Sequence, residues 1–176
     1  QEAMAQSAVG EIYGMYRGIR GLLKEEFIDL RRQPAGVVEG LRHTPGAALG
    51  TVRYKLSEAD YDRILDVLKK HNIRYLHYIG GNDSSDTSWQ LARLAASSGY
   101  ELHVVAVPKT VDNDLVHTDH CPGYPSAARF VAMATRDTGR DTEAMGPESP
   151  VKILEVMGRN TGWLTAAAAL ARQEEG

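Results

Sequence analysis

The chain has 176 residues, of which 43% are hydrophobic and 24% charged, and a formal net charge of −3. This balance fits one globular domain or one lobe of a larger protein, and it offers no basic field for nucleic acid or an anionic membrane. One cysteine, Cys121, excludes an internal disulfide and fits a reducing cytoplasm, and no apolar run approaches the about 18 residues of a membrane span.

"QEAMAQSA" reads as the last turns of a helix and "ALARQEEG" lies one helix after a strand, so both ends are expected to be cuts through a longer protein. "EIYGMYRG" reads as a short strand. The stretch "LLKEEFIDLRRQPAGVVEGLRHTPGAALGTVRYKL" is expected to be irregular, because Pro34, Pro45 and several glycines interrupt it. Ser57 is the expected N-cap of a helix over "EADYDRILDVLKKHN". There Tyr61, Ile64, Leu65 and Leu68 share a face, and Lys69, Lys70 and His71 suit the C-terminal dipole.

"IRYLHYIGG" is expected to be a buried strand, followed by a helix over "SSDTSWQLARLAASSGY" with Trp89, Leu91, Leu94 and Ala95 mostly on one side. "ELHVVAVPKTVDND" is the next strand, stopped by Pro108. A helix then runs through "GYPSAARFVAMATRDT" from near Pro125, and "RDTEAMGPESP" is a polar loop. "VKILEVMGRN" is a third strand and "TGWLTAAAALARQ" a helix capped by Asn160. Strands alternating with helices predict an α/β fold, a mostly parallel sheet with helices on both faces. In such sheets ligands bind beyond the carboxyl ends of the strands, where "GGNDSSDT", "PKTVDND" and "MGRN" all lie.

Each loop has a chemical reading and a plain one. In "GGNDSSDT", Gly80 and Gly81 let the backbone approach an anion, the next helix offers unpaired N–H groups, and Ser84 and Ser85 add hydroxyls. The same letters also fit a tight turn capped by Ser85 or Asp86. "PKTVDND" places Asp112 and Asp114 two residues apart, facing one side in an extended chain. Two such carboxylates repel unless one is protonated or a cation lies between them, which suits a proton-accepting acid beside a Mg²⁺-holding one. Lys109 and Thr110 supply a charge and a hydroxyl for phosphate; the alternative is a solvated Asx-rich turn. In "MGRN", Gly158 allows close approach and Arg159 offers a forked donor, although a surface arginine after a strand glycine explains that loop alone. "HTDHC" matches no familiar zinc spacing, and Trp89 and Trp163 read as core or interface packing.

Together these motifs resemble the 6-phosphofructokinases: "GGNDS" is similar to that family's GGDGS loop, "PKTVDND" to its GTIDND loop and "EVMGRNTGW" to its EVMGR strand end. The resemblance covers nearly the whole chain, in order. It implies a partial phosphofructokinase-like lobe over residues 1–176, lacking the family's first strand and glycine-rich loop and its second lobe. It also implies a cytoplasmic glycolytic enzyme that works as a homo-oligomer, a dimer or tetramer, with no nucleic acid or membrane partner. By position, Asp112 would take the proton of the 1-hydroxyl of fructose 6-phosphate, and Thr110 would orient the transferring phosphate. Asp114, with Asp83, would hold Mg²⁺. Gly81 and Ser84 would line the phosphate loop, Met157, Gly158 and Arg159 would contact the sugar phosphate and the transferred group, and Arg53 would reach towards the donor.

Two departures bear on that donor. ATP users of the family carry glycine where Asp83 and Lys109 stand here, whereas its pyrophosphate users carry an acid and a lysine. Asp83 would repel a nucleotide's inner phosphate and Lys109 would neutralise pyrophosphate. The expected reaction is therefore reversible phosphoryl transfer from pyrophosphate to fructose 6-phosphate, with this stretch alone expected to be inactive. The alternatives are an ATP-dependent phosphofructokinase and a catalytically silent regulatory paralogue, against which the retained Asp112 argues. Asn82 replaces an aspartate of many members, and Asp83 or Asp86 is expected to compensate.

Overall fold

A computed structural model describes residues 2–44 and 46–172. Gln1, Pro45 and the end of the last expected helix, at Gln173, fall outside them. The chain divides into two compact units, one formed by residues 1–74 and 91–103 and the other by residues 75–90 and 104–176.

In the first unit, after a single helical turn α1 (Glu2–Ala5), strand β1 (Tyr13–Met15) pairs antiparallel with β2 (Phe27–Asp29), Gly14 opposite Ile28. Helix α2 (Ile19–Lys24) connects them. The segment expected to be irregular thus contains the end of α2, β2, a helix α3 (Ala35–Gly40) and a 3-10 turn at Leu41–His43. Pro34 stands just before α3 and Gly40 ends it, so they punctuate this helix rather than prevent it. Gly21 shows why a glycine sits inside α2: a Cβ there would lie 2.0 Å from the Tyr16 carbonyl oxygen.

Helix α4 (Glu58–Lys70) starts where Ser57 predicts. The Ser57 N–H and hydroxyl both donate to the Asp60 carboxylate, at 2.8 and 2.7 Å. Its stripe of Ile64, Leu65, Val67 and Leu68 is buried, as are Ile19 and Leu22 of α2, which packs on it. Each such side chain contributes about 1.5–3 kcal/mol on burial. Glu25, in the left-handed conformation that ends α2, receives Arg63 and Lys70 of α4 and its C-cap His71 at 2.9, 2.6 and 2.8 Å. The His71 ring stands edge-on to Phe27 of β2 with centroids 4.8 Å apart, so one carboxylate joins the helix to the hairpin side of the unit.

Strands β3 (Tyr75–Gly80) and β4 (His103–Pro108) form a two-stranded sheet that belongs to the second unit except for His103. The His103 N–H donates to Arg74 and the Lys109 N–H to Gly80, a constant offset that makes the pair parallel. Strand β3 is not the buried strand expected: Tyr75 and Ile79 are exposed, since a two-stranded sheet leaves an alternating set of side chains uncovered. Helix α5 (Asn82–Ser97) begins at Asn82, so Ser85 and Asp86 are not caps but sit within the helix, where Asp86 accepts a bond from the Gln90 amide at 2.6 Å. Trp89 is 57% exposed and Trp163 52%, so neither is core; the buried positions of α5 are Ser88, Leu91 and Ala95.

Helix α6 (Tyr124–Met145) absorbs most of the expected polar loop. Nothing breaks it before Gly146, and the hydroxyls of Thr135, Thr138 and Thr142 bond back to carbonyls four residues earlier at 2.7–3.0 Å. Conversely, "VKILEV" is no strand: Val151 to Glu155 run exposed, Ile153 87% so, without a ladder partner. Helix α7 (Trp163–Ala167) is capped by Gly162, not Asn160, and passes into a 3-10 turn over Ala168–Ala171. It packs on α6, burying Val131, Leu164 and Ala167. No described helix is long and apolar enough to cross a membrane.

Candidate active site

Three turns of the second unit carry the residues singled out above. The first is the β3–α5 junction. Gly80 is obligatory there, because a Cβ would lie 2.1 Å from the Ser84 hydroxyl, which folds the first helical turn down onto the strand end. Gly81 has only the Lys109 carbonyl near, at 3.8 Å from where its Cβ would be, so the space above it stays open. Asn82 and Asp83 sit in the first turn of α5, whose N–H groups have no partner within the helix. Asp83 is exposed, as is Lys109.

The second turn follows β4. The Lys109 N–H donates to Gly80 at 2.9 Å, which fixes the start of this turn to the first one. The Asp112 N–H donates to the Thr110 hydroxyl at 3.1 Å, and Asn113 takes a left-handed φ of 55°. The segment from Thr110 to Asp114 is therefore a turn and not the extended strand end expected, so alternation along a strand does not set the two carboxylates. Their environment is informative nonetheless. Asp112 Oδ1 and Asp114 Oδ1 are both buried without a hydrogen-bond partner. A buried carboxylate oxygen without a donor is costly, and such orphans mark places where a proton or a cation belongs.

Asn82 joins the first two turns through its side chain, donating to Asp114 Oδ2 at 3.2 Å. That bond occupies one oxygen of Asp114 and leaves the other unpartnered. Asp86, on the next turn of α5, accepts the Gln90 amide through one oxygen at 2.6 Å.

The third turn contains Met157, Gly158 and Arg159. Gly158 has φ 156°, and a Cβ on it would lie 2.4 Å from the Thr161 carbonyl, so only glycine fits. Arg159 is exposed with φ 49°, and Met157 is 65% exposed. The Thr161 hydroxyl lies 2.9 Å from the carbonyls of both Gly158 and Asp112, tying the third turn to the second. The turn carrying Asp112 and Asp114 is thus bonded to both glycine turns. Arg53 is exposed and belongs to the first unit.

Among the described residues no three His, Cys, Asp or Glu side chains gather into a self-sufficient metal cage, and "HTDHC" forms none. Mg²⁺ is commonly held by only one or two carboxylates and takes the rest of its coordination from substrate phosphates and water. The unpartnered Oδ1 atoms of Asp112 and Asp114 fit that requirement.

A family model described as phosphofructokinase matches residues 2–175. The chain belongs to the phosphofructokinase family. It is 45% identical to the pyrophosphate–fructose 6-phosphate 1-phosphotransferase of Xanthomonas campestris, over 97% of this chain and 44% of that protein. It matches the crystal structure of a pyrophosphate-dependent phosphofructokinase from Nitrosospira multiformis with a TM-score of 0.89 at 42% identity, over 99% of this chain and 45% of the other. The ATP-dependent 6-phosphofructokinase of Hamiltonella defensa is 35% identical, over 92% of this chain and 46% of that protein. The chain therefore spans less than half the length of these phosphofructokinases.

The bonding roles of three residues of the site were missed in the sequence. Asn82 looked like a lost acid, Asn113 like a spacer between two acids, and Thr161 like part of a helix start. The one available signal was position: each lies within or just after a motif as a short polar side chain, Asn113 and Thr161 bonding main-chain groups and Asn82 the Asp114 carboxylate.

Proposed function

We propose that this chain is the phosphate-handling part of a phosphofructokinase that uses pyrophosphate. The reaction moves a phosphoryl group from pyrophosphate to the 1-hydroxyl of fructose 6-phosphate, giving fructose 1,6-bisphosphate and phosphate. The observation that carries this reading is the pair of buried, unpartnered carboxylate oxygens on a turn bonded to two glycine turns.

Asp112 accepts the proton of the attacking 1-hydroxyl as its oxygen bonds to phosphorus, while the bridging P–O bond breaks and phosphate leaves. Thr110 and the open face above Gly81 orient the transferring group, and Ser84 shapes that face by closing the first turn of α5. Met157, Gly158 and Arg159 contact the sugar phosphate and the transferred group, with the arginine as a forked donor. Asp114, aided by Asp83, would hold Mg²⁺. Mg²⁺, when bound, neutralises phosphoryl oxygens as charge shifts to the leaving phosphate.

The choice of donor rests on Asp83 and Lys109. Both side chains are exposed at the first two turns, an acid that repels an inner nucleotide phosphate and a cation that neutralises pyrophosphate. The names of the relatives at 42–45% identity, against 35% for the ATP-dependent one, support the same choice. Phosphoryl groups on pyrophosphate and on a sugar differ little in stability, so the reaction runs in either direction. The family resemblance also supports a dimer or tetramer of the intact protein, a cytoplasmic one.

The test is to assay the intact protein with fructose 6-phosphate, offering pyrophosphate and ATP in parallel. Release of phosphate from pyrophosphate with formation of the bisphosphate is expected. Activity with ATP alone would establish the ATP-dependent alternative, and activity with neither would leave a silent paralogue.

A further inference from the structure

Asn113 lies between the two acids and is one of two buried polar residues of the described chain, 6% exposed. Its φ of 55° falls in the left-handed region, which asparagine tolerates better than most side chains. Both ends of its amide are used. Nδ2 donates to the Asp119 carbonyl at 3.0 Å, and Oδ1 accepts the Cys121 N–H at 2.8 Å. The Cys121 carbonyl in turn accepts the Tyr124 N–H at 3.1 Å, where the 22-residue α6 begins. The turn bearing Asp112 and Asp114 is thereby bolted, through one side chain, to the entry of the longest helix.

We infer that Asn113 is the positioning residue of this acid turn: its amide, seated between residues 119 and 121, sets the direction in which Asp112 and Asp114 present their free oxygens. Asn113 touches no reacting atom; it acts through its two neighbours. A side-chain amide held at both ends cannot swing without breaking two bonds to the main chain, and the buried Cys121 N–H is costly to leave unpaired. The inference rests on the pyrophosphate-dependent transfer proposed above.

Two variants of the intact protein test it. Asn113→Asp keeps the shape, the left-handed tolerance and the acceptor for Cys121, but loses the donor to Asp119. Asn113→Gly keeps the backbone conformation and loses both bonds. In each, kcat is expected to fall about 100-fold, the scale of a small misplacement of reacting groups. KM for both substrates should stay within about threefold, because binding is shared by other turns. Far-UV circular dichroism should still show a cooperative melt.

Wild-type protein that transfers nothing from pyrophosphate would sink the proposed function and this inference with it. Active wild type with variants of equal kcat, or with loss confined to KM, would overturn the inference alone. Loss of cooperative melting in both variants would also overturn it, since the amide would then support the whole fold and not the acids.

Discussion

The Thr161 hydroxyl lies 2.9 Å from the main-chain carbonyl of Asp112, across 49 positions of sequence. The same hydroxyl is 2.9 Å from the Gly158 carbonyl, so one small side chain stitches the acid turn to the glycine–arginine turn. Replacing Thr161 by valine keeps the volume and removes the donor. The melting temperature should drop by the equivalent of about 1 kcal/mol. The kcat of the intact protein should fall about tenfold, which corresponds to about 1.4 kcal/mol of barrier. Thr161→Ser, which restores the hydroxyl, should recover most of that activity; equal losses in both variants would mean the methyl group matters and the bond does not.

Asp112 and Asp114 each keep one buried oxygen without a partner, yet the proposed roles differ. Asp112→Asn removes the proton acceptor and should lower kcat by about 10²–10⁴-fold with little change in KM. Asp114→Asn should instead raise the Mg²⁺ concentration needed for half-maximal rate, with activity partly restored by excess metal. Steady-state assays over a magnesium titration separate the two. Identical profiles for both variants would remove the division of labour.

Two tight turns were legible in the sequence: Gly80 at the end of β3 and Gly158 after an irregular segment both mark places where the backbone leaves no room for a Cβ. The register of α4 was legible for a similar reason: Ser57 and its apolar spacing make a local statement that packing did not override. Elements set by pairing were not legible. Residues 151–155 have the composition of a strand, but a strand exists only where another offers its N–H and C=O groups. The long α6 was hidden because its polar half reads as loop, and its threonines satisfy themselves on their own helix. The acid turn was misread as extended because a left-handed residue in its middle cannot be inferred from alternation.

Glu25 gives the protein an acid-sensitive joint. Lys70 above all, then His71 and Arg63, hold its carboxyl down to about 2. A carboxyl whose folded pKa lies below the unfolded value of roughly 4.3 stabilises fully above that value and loses the contribution as pH falls towards 2. Melting temperature should therefore decline between about pH 4.5 and pH 2. The Asp60 carboxyl, lowered chiefly by the Ser57 N–H, drives a decline of the same sign. Glu25→Gln isolates the joint: its melting temperature should be lower at neutral pH and should fall less steeply over that window. A wild-type slope in the variant would show that Glu25 contributes nothing to acid unfolding.

Asp83 occupies the first turn of α5 and Lys109 the residue after β4, and the Lys109 N–H anchors to Gly80 through the main chain alone. Their side chains are exposed and can be changed without unpicking that bond. In the intact protein, Asp83→Gly combined with Lys109→Gly removes a charge that repels nucleotide phosphate and a cation that neutralises pyrophosphate. The kcat/KM ratio for ATP over pyrophosphate should rise by about 10²-fold, since each charge contributes on the order of 1–2 kcal/mol of discrimination at such a surface. Single variants distinguish the two effects: Asp83→Gly should act mainly by admitting ATP, Lys109→Gly mainly by weakening pyrophosphate. An unchanged ratio in the double variant would mean that these two positions do not choose the donor, and the choice would have to lie in the shape of the glycine turns.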